Sequence, residues 1–229
     1  MLKIYGLPIS VHTRKVIAAV LTKGLEYEIE VVVPIDPSTL PANWRAISPT
    51  GKVPVVEDGN TILADSTVAC AYLDRAYPAP PVYPADTEGY VRALWFEEYA
   101  DGTLFLDVVH PLFFETFVGP NVYKREPDRA AVDRICNEAI PQIFSYLDGA
   151  VGNGFVAGDT LSVADIAIAS NLVTYQYLGF PLDRIRFPEL AAYFERLARC
   201  PPILQALRKE QSTAESMRLH RAFLDTVLY

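Results

Sequence analysis

The sequence predicts a small α/β unit followed by a larger unit made only of helices. Two observations support this fold class: strand and helix patterns alternate up to residue 77, and no convincing strand pattern follows residue 84. Between them, residues 77–84 contain four prolines, and proline-rich runs act as semi-rigid spacers. We therefore assign residues 1–79 to the first domain, 80–87 to a linker and 88–229 to the helical domain.

The first unit has a recognisable order of elements. Residues 2–5 and 27–33 have strand patterns, and residues 11–22 between them have apolar residues at helical spacing. A strand, a helix and a strand within about thirty residues predict two parallel strands. Residues 53–57 and 61–64 flank Asp58-Gly59-Asn60 and predict a hairpin, and residues 66–77 predict a helix. The predicted order is β-α-β-α-β-β-α, in which the second helix, between the second and third strands, is given no residue range.

The second unit has helical patterns throughout. They cover residues 88–117, 127–151, 162–178, 188–199 and 203–229. The first is expected to be interrupted or bent near His110-Pro111, because proline breaks the helical hydrogen-bond ladder. Ser162 and Asp165 predict a capping box at the start of the third. The apolar run that follows, residues 166–169, predicts that this helix lies in the core.

Composition excludes several classes of function. The chain has 229 residues and a formal net charge of −8, which argues against a nucleic-acid partner. The three cysteines are widely spaced and show neither a zinc pattern nor a disulfide framework. We find no signal peptide and no apolar run long enough to span a membrane. These features predict a cytoplasmic protein with no metal and no membrane partner.

The segment 50–59 is the most informative in the chain. Pro54 opens a short apolar strand, although a proline cannot donate to a sheet ladder. If the Val53-Pro54 bond is cis, the backbone N–H and C=O of Val53 face outward, toward an extended ligand. Asp65 and Ser66 then stand where the next helix begins.

The chain resembles the cytosolic glutathione S-transferases over essentially its whole length. The resemblance rests on residues 8–16, 48–54, 65–66 and 162–165, in this order and spacing. Ser10 makes it similar to the serine-type classes, such as phi or related bacterial types. The resemblance implies a thioredoxin-like N-terminal domain, glutathione as co-substrate and a homodimer.

The resemblance also implies that the Ser10 hydroxyl donates a hydrogen bond to the glutathione sulfur and favours its ionised form. The alternative is that Ser10 only caps the first helix. Thr13 is the competing hydroxyl. His12 either lines the pocket or lies without a role on the helix surface.

The same resemblance assigns the binding residues. Val53, before Pro54, would pair with the cysteinyl backbone of glutathione like an added strand. Ser66 and the helix N-terminus would hold the γ-glutamyl carboxylate, and Asp65 would face the ammonium group. Lys52 would reach the glycyl carboxylate. The alternatives are an ordinary helix cap for Asp65-Ser66 and a solvated surface residue for Lys52.

Two parts of the site stay open at this point. The loop 37–45 lacks the His-Lys or similar basic pair of many serine-type relatives, so either Trp44 packs under the loop or Arg45 supplies the charge. Six residues would either wall a hydrophobic second-substrate site between the domains or belong to the bundle core or a subunit interface. They are Phe105, His110, Phe113, Phe114, Phe117 and Tyr123.

The leading hypothesis for function is a glutathione transferase of the detoxification type that conjugates glutathione to small hydrophobic electrophiles. One alternative is a glutathione-dependent peroxidase, and another is a non-catalytic binding or structural protein with the same fold. Disulfide reduction is disfavoured because Ser10 occupies the first-helix position where reductases carry cysteine.

Overall fold

The N-terminal sheet has four strands in the order β2-β1-β3-β4 in the computed structural model, which describes residues 1–228. The strands are β1 Leu2–Tyr5, β2 Tyr27–Glu30, β3 Val55–Asp58 and β4 Thr61–Leu63. β1 and β2 are parallel, and β3 is antiparallel to both β1 and β4. The predicted parallel pair and the predicted hairpin are therefore both confirmed.

Strands β2, β3 and β4 are shorter than predicted, because a strand extends only as far as it can pair with its neighbour. β2 was predicted to reach residue 33 but ends at Glu30, since β1 ends at Tyr5 and the chain turns at Gly6. Beyond Glu30, a 3.4 Å bond from the Val32 N–H to the Gly6 carbonyl continues the contact. β3 begins at Val55 rather than at residue 53, because Pro54 has no N–H to donate.

Helices cover both faces of the sheet. They are α1 Val11–Thr22, α2 Trp44–Ile47 and α3 Ser66–Ala76, so the order β-α-β-α-β-β-α is confirmed. Ile4 and Val56 pack on the face that holds α1 and α3. Tyr5 and Val55 pack with Trp44 in a smaller cluster on the opposite face. Because α1 also contacts the helical domain, its first turn lies where the two parts of the chain meet.

The described residues of the C-terminal part form helices joined by loops, and the fold class is confirmed. Its α-helices are α4 Thr87–Tyr99, α5 His110–Phe113, α6 Gly119–Asn121, α7 Arg129–Arg134, α8 Ile140–Ala150, α9 Val163–Tyr177, α10 Pro188–Arg199, α11 Pro201–Ser216 and α12 Ala222–Leu228. Of these, none combines the length and apolar composition that crossing a membrane requires. The boundaries of domains and linker, at residues 79, 80, 87 and 88, stay predictions.

Three π-helical segments join several of these helices into longer ones. The segments are Ala100–Val109, Phe114–Val118 and Ile135–Ala139. Each ends two residues before a proline, namely Pro111, Pro120 and Pro141. A proline in an α-helix lacks a donor, and its ring meets the carbonyl of residue i−4. The wider turn relieves both problems, so the helix continues through His110-Pro111 instead of being interrupted there.

The predicted C-terminal helix, residues 203–229, is two helices. α11 ends at Ser216, and Arg218 adopts a left-handed backbone with φ 56° before α12 begins. Tyr229, the last residue of the predicted helix, lies outside the described residues.

α9 is the central helix of the core, as predicted, and almost all of its residues are buried. Its capping box forms: the Asp165 carboxylate accepts from the Ser162 N–H at 2.8 Å. The same carboxylate accepts from the Val156 N–H at 2.8 Å and from the Tyr193 hydroxyl at 2.5 Å. Asp165 therefore joins three segments of the helical domain.

Candidate active site

One end of the sheet gathers the residues that the sequence singled out. Tyr5, the last residue of β1, pairs with Val55, the first residue of β3. Leu63, the last residue of β4, pairs with Val56. Three segments therefore meet at one end of the strands, which we call the sheet edge. They are the chain leaving β1 toward residue 10, the chain entering β3 at residues 53–54, and the chain leaving β4 toward residues 65–66.

The Val53-Pro54 peptide bond is cis. Pro54 is buried, whereas Val53 is half-buried and lines a cavity at the sheet edge. Strand pairing begins at Val55, so the backbone polar groups of Val53 lie outside the sheet register.

Ser10 lies at the N-terminus of α1 with an extended backbone, φ −64° and ψ 133°. Its carbonyl accepts from the Arg14 N–H at 2.8 Å, which starts the helix. Its hydroxyl makes no capping bond to the described backbone, and the residue lines the same cavity as Val53. The hydroxyl is therefore not used as a helix cap.

Thr13 and His12 are placed differently from each other. Thr13 is fully buried against the end of β1, where a Cβ built on Gly6 would lie 2.5 Å from Thr13 Oγ1. It is not part of the cavity wall. His12 lines the cavity, and its side chain lies against Asp101 of the helical domain.

The residues at the start of α3, and Lys52 in the loop before β3, lie outside that cavity. Asp65 is exposed and caps α3, its Oδ1 accepting from the Val68 N–H at 3.0 Å, while Ser66 is buried. Lys52 is exposed. Of the predicted site residues, the cavity joins Ser10 and Val53, whereas Lys52, Pro54, Asp65 and Ser66 do not form its wall.

The loop before β3 is held closed from inside. The buried Ser48 hydroxyl donates to the Lys52 carbonyl at 2.8 Å. Trp44 is buried against Tyr5, with ring centroids 6.5 Å apart. The Arg45 guanidinium lies over Gly51, close enough that a Cβ there would meet Nη1 at 2.7 Å. Trp44 therefore packs beneath the loop, and the Arg45 guanidinium lies beside Gly51; that Arg45 supplies the charge for a ligand stays a prediction.

We expect Ser48→Ala to raise about fivefold the KM for glutathione, the co-substrate that the resemblance implies, and to leave kcat close to the wild-type value. The lost hydrogen bond contributes roughly 1 kcal/mol to the closed loop, which leads into Val53. Steady-state kinetics with varied glutathione measure the effect. Ser38→Ala, an exposed serine in another loop, is the control. A selective fall in kcat would contradict this role for Ser48.

The cavity has a volume of about 560 Å³. It lies between the sheet edge, α1 and the long helix in which α4 continues through the π-helical segment Ala100–Val109. All six candidate second-substrate residues, Phe105, His110, Phe113, Phe114, Phe117 and Tyr123, line it. Sequence reasoning missed several other wall residues. They come from the loop after β2, from the turn after α6, from α9 and from the end of α11, namely Val33, Pro34, Ile35, Val122, Thr174 and Met217.

Arg14 fixes the segment before Ser10 and was not singled out from the sequence. It is buried and donates from Nη2 to the Ile9 carbonyl at 2.9 Å and from Nη1 to the Thr174 hydroxyl at 3.1 Å. Its Nε donates to the buried Glu210 carboxylate at 2.8 Å, which also accepts from the Tyr177 hydroxyl at 2.6 Å. α9 and α11 therefore hold the loop that carries Ser10.

A second buried charge cluster lies beside the cavity. The Lys15 ammonium contacts Asp101 and Glu97, each at 2.5 Å, and donates to the Thr67 hydroxyl at 2.9 Å. The Tyr83 hydroxyl donates to the second Glu97 oxygen at 2.8 Å. Burial raises the pKa of Glu97. Burial also acts to raise the pKa of Asp101, but the neighbouring His12 and Lys15 outweigh it and hold that pKa below its usual value.

The three cysteines are poor candidates for a catalytic nucleophile. Burial raises the pKa of the Cys70 thiol to about 12, and it also raises the pKa of Cys136 and Cys200. Thiols with raised pKa values are poor nucleophiles. Within residues 1–228 there is no group of three or more His, Cys, Asp or Glu side chains placed to bind a metal ion.

Comparison with known proteins identifies the class to which this fold and site belong. Residues 4–81 match the profile of the glutathione S-transferase N-terminal domain, and residues 105–201 match that of the C-terminal domain. A glutathione S-transferase from Triticum aestivum is 26% identical over 219 residues, which covers 94% of this chain and 97% of the wheat protein. The chain belongs to the glutathione S-transferase family of enzymes, whose co-substrate is glutathione.

Solved structures show the same fold. A glutathione S-transferase from Rhodospirillum rubrum F11 superposes with a TM-score of 0.81 at 22% identity, covering 90% of this chain and 92% of that one. A glutathione transferase homologue from Drosophila mojavensis, solved with bound glutathione, superposes with a TM-score of 0.79 at 22% identity, covering 95% of this chain and 96% of that one.

Proposed function

We propose that this protein conjugates glutathione to small hydrophobic electrophiles and that the Ser10 hydroxyl stabilises the attacking thiolate. The observation that carries the proposal is the position of Ser10. Its hydroxyl is not used to cap α1, and it shares a 560 Å³ cavity with Val53 of the cis-proline turn. A sulfur bound between these two residues would face the cavity.

The energetic requirement on Ser10 is modest. A free thiol has a pKa near 8.5, so only a few per cent is ionised at pH 7. Lowering that pKa by about two units takes roughly 2.7 kcal/mol of preferential thiolate stabilisation. A hydrogen bond to a charged group contributes about 1.5–3 kcal/mol, and the α1 N-terminus adds about 0.3–1 kcal/mol. Together these two effects contribute about 1.8–4 kcal/mol, a range that includes the requirement.

Glutathione would bind along the sheet edge. The unpaired backbone groups of Val53 suit its cysteinyl residue, and the N-terminus of α3 suits a carboxylate. One Asp65 oxygen caps α3, which leaves the other to meet an ammonium group. Lys52 and Arg45 supply positive charge for the glycyl carboxylate. A homologue of the same fold from Drosophila mojavensis binds glutathione, which supports glutathione as the ligand.

The second substrate would occupy the rest of the cavity. Its wall is almost wholly apolar, and no Lys, Arg, Asp or Glu side chain is part of it among the described residues. Phe113 and Phe117 stack with ring centroids 5.4 Å apart. A neutral, hydrophobic and preferably aromatic electrophile fits these walls better than a charged one, because burying an unpaired charge is costly.

Peroxide reduction is a second candidate because it begins with the same thiolate. Disulfide reduction by a protein cysteine is disfavoured, since burial raises the pKa of all three thiols. We place the protein in the reducing cytosol, which supplies glutathione and keeps these cysteines free.

The test is capture on immobilised glutathione followed by assays with a panel of electrophiles and hydroperoxides. We expect retention, elution by free glutathione and turnover of neutral aromatic electrophiles. Turnover of hydroperoxides alone would favour the peroxidase. Neither retention nor a thermal shift with millimolar glutathione would favour a non-catalytic role.

We expect a homodimer, with exposed apolar side chains of α3 and α4 at the interface. Val91 on α4 is 58% exposed, and Val68 on α3 is 53% exposed. Val91→Glu should shift the molecular mass measured by light scattering from two chains toward one, because it buries a charge in the interface. Ile185→Glu is the matched control, since Ile185 is 95% exposed on a distant loop. A wild-type monomer at micromolar concentration would contradict the expectation.

A further inference from the structure

His12 is the titratable side chain that lies between the cavity and the buried charge cluster. It is the second residue of α1, its side chain is 24% exposed, and it lines the cavity with Ser10. Its Nδ1 lies 3.6 Å from Asp101 Oδ1. Within the described part of the chain, neither of these buried atoms has a hydrogen-bond partner. The two atoms therefore face each other across a gap slightly longer than a hydrogen bond.

The buried cluster of Lys15, Glu97 and Asp101 has two acidic side chains and one basic side chain. Lys15 supplies one ammonium group, while Asp101 and Glu97 supply two carboxyl groups. Lys15 is saturated by these contacts and by Thr67. A positive charge on His12 would meet the Asp101 oxygen that Lys15 does not hold. If His12 binds a proton at the cavity wall, the Asp101 carboxylate therefore balances its positive charge.

The ring of His12 is also held in orientation. Phe105 meets it edge-on, with ring centroids 4.5 Å apart and planes at 65°. Because Nδ1 is directed at Asp101, Nε2 lies on the opposite side of the ring. His110 lies beyond Phe105, 5.4 Å from its centroid, and no described carboxylate pairs with it. The charged groups that face His12 are Asp101 of the π-helical segment and, behind it, Lys15 and Glu97.

We propose that His12 accepts the proton of the glutathione thiol and that Asp101 compensates the imidazolium that results. This inference rests on the proposed function. The S–H bond breaks, its electron pair stays on sulfur, and an N–H bond forms at His12 Nε2. Ser10 keeps its own proton and donates a hydrogen bond to the sulfur. The sulfur pair then forms the C–S bond, and the imidazolium returns the proton to the anion produced from the electrophile or to solvent.

The test counts the protons released to the buffer for each thiolate formed when glutathione binds. Thiolate is measured by its ultraviolet absorbance near 240 nm, and protons by calorimetry in buffers of different ionisation enthalpy. At pH 8, above the ordinary range of histidine titration, the wild-type protein should release well under one proton per thiolate. His12→Gln should release one proton per thiolate and form less thiolate. His220→Gln, at an exposed histidine outside the cavity wall, is the control and should keep the wild-type ratio.

The outcomes separate this inference from the function on which it rests. A ratio of one in the wild-type protein would overturn the role of His12 while leaving the Ser10 thiolate in place. Binding without any thiolate would remove both. The wild-type ratio decides the question alone if His12→Gln does not fold.

Discussion

Replacing Ser10 by alanine is expected to lower kcat/KM for conjugation about 10- to 150-fold near neutral pH. The substitution removes a hydrogen bond to a charged group, which contributes about 1.5–3 kcal/mol. The same free energy raises the pKa of the bound thiol by about one to two units. The loss should therefore shrink at high pH, where the thiol ionises without help. Kinetics from pH 6 to 9 and thiolate absorbance measure both effects.

Thr13→Val is the matched control for Ser10→Ala. Thr13 Oγ1 is buried and has no partner in the described structure, so a methyl group of similar shape should fit and leave stability nearly unchanged. The thiol pKa and kcat/KM should stay at wild-type values. If Thr13→Val instead produced the loss expected of Ser10→Ala, the hydroxyl assignment would have to move to Thr13.

Arg14→Met is expected to lower the free energy of unfolding by about 3–5 kcal/mol at neutral pH. Removing one partner of a buried ion pair leaves the other charge uncompensated. Here the stranded group is Glu210, which is fully buried and keeps, among the described residues, the Tyr177 hydroxyl as its one partner. Chemical denaturation measures the loss. Arg184→Met is the control, because Arg184 is 72% exposed and pairs with Glu195 at the surface, where ion pairs contribute 1 kcal/mol or less.

The loss in Arg14→Met should depend on pH in a defined direction. Burial already raises the pKa of Glu210 in the folded protein, and Arg14 opposes that rise. Without Arg14 the folded-state pKa rises further, so folding favours the protonated carboxyl group. That stability is present below the unfolded-state pKa of about 4.3 and is lost as pH rises through the folded-state pKa. The deficit should be smaller at pH 5 than at pH 8.

A double variant separates the stranded charge from lost packing. Arg14→Met with Glu210→Gln should recover part of the stability at pH 8, since no buried carboxylate remains. An equal deficit at both pH values, with no recovery in the double variant, would contradict the account of this pair. Arg14 also holds the Ile9 carbonyl, so the single variant should lose thiolate stabilisation at the adjacent Ser10.

The elements that the sequence predicted are those with strong local patterns. The βαβ unit, the hairpin at Asp58-Gly59-Asn60 and the capping box at Ser162 depend on residues close together in the chain. The sheet edge could be predicted in the same way, because strand direction places Ser10, Val53 and Asp65 at one end. The exact strand ends could not, since they depend on where the neighbouring strand stops.

The residues that the sequence did not reveal act through distant partners. Arg14 looks like an ordinary charged residue of a helix, yet Glu210 lies 196 residues away in the chain. Lys15 and Asp101 are separated by 86 residues in the chain. The helical pattern of residues 88–117 did not predict the π-helical segment that carries Asp101. Only the packing of α1 against the helical domain brings these side chains to their distant partners.

A crystal structure with bound glutathione would show whether Ser10 reaches the thiolate. We predict sulfur within hydrogen-bond distance of Ser10 Oγ, about 3.5 Å or less, and backbone bonds between the cysteinyl residue and Val53. We also predict that the sulfur points into the aromatic cavity, with His12 Nε2 directed toward it. Glutathione bound away from this sheet edge, or a sulfur that Ser10 cannot reach, would contradict the account.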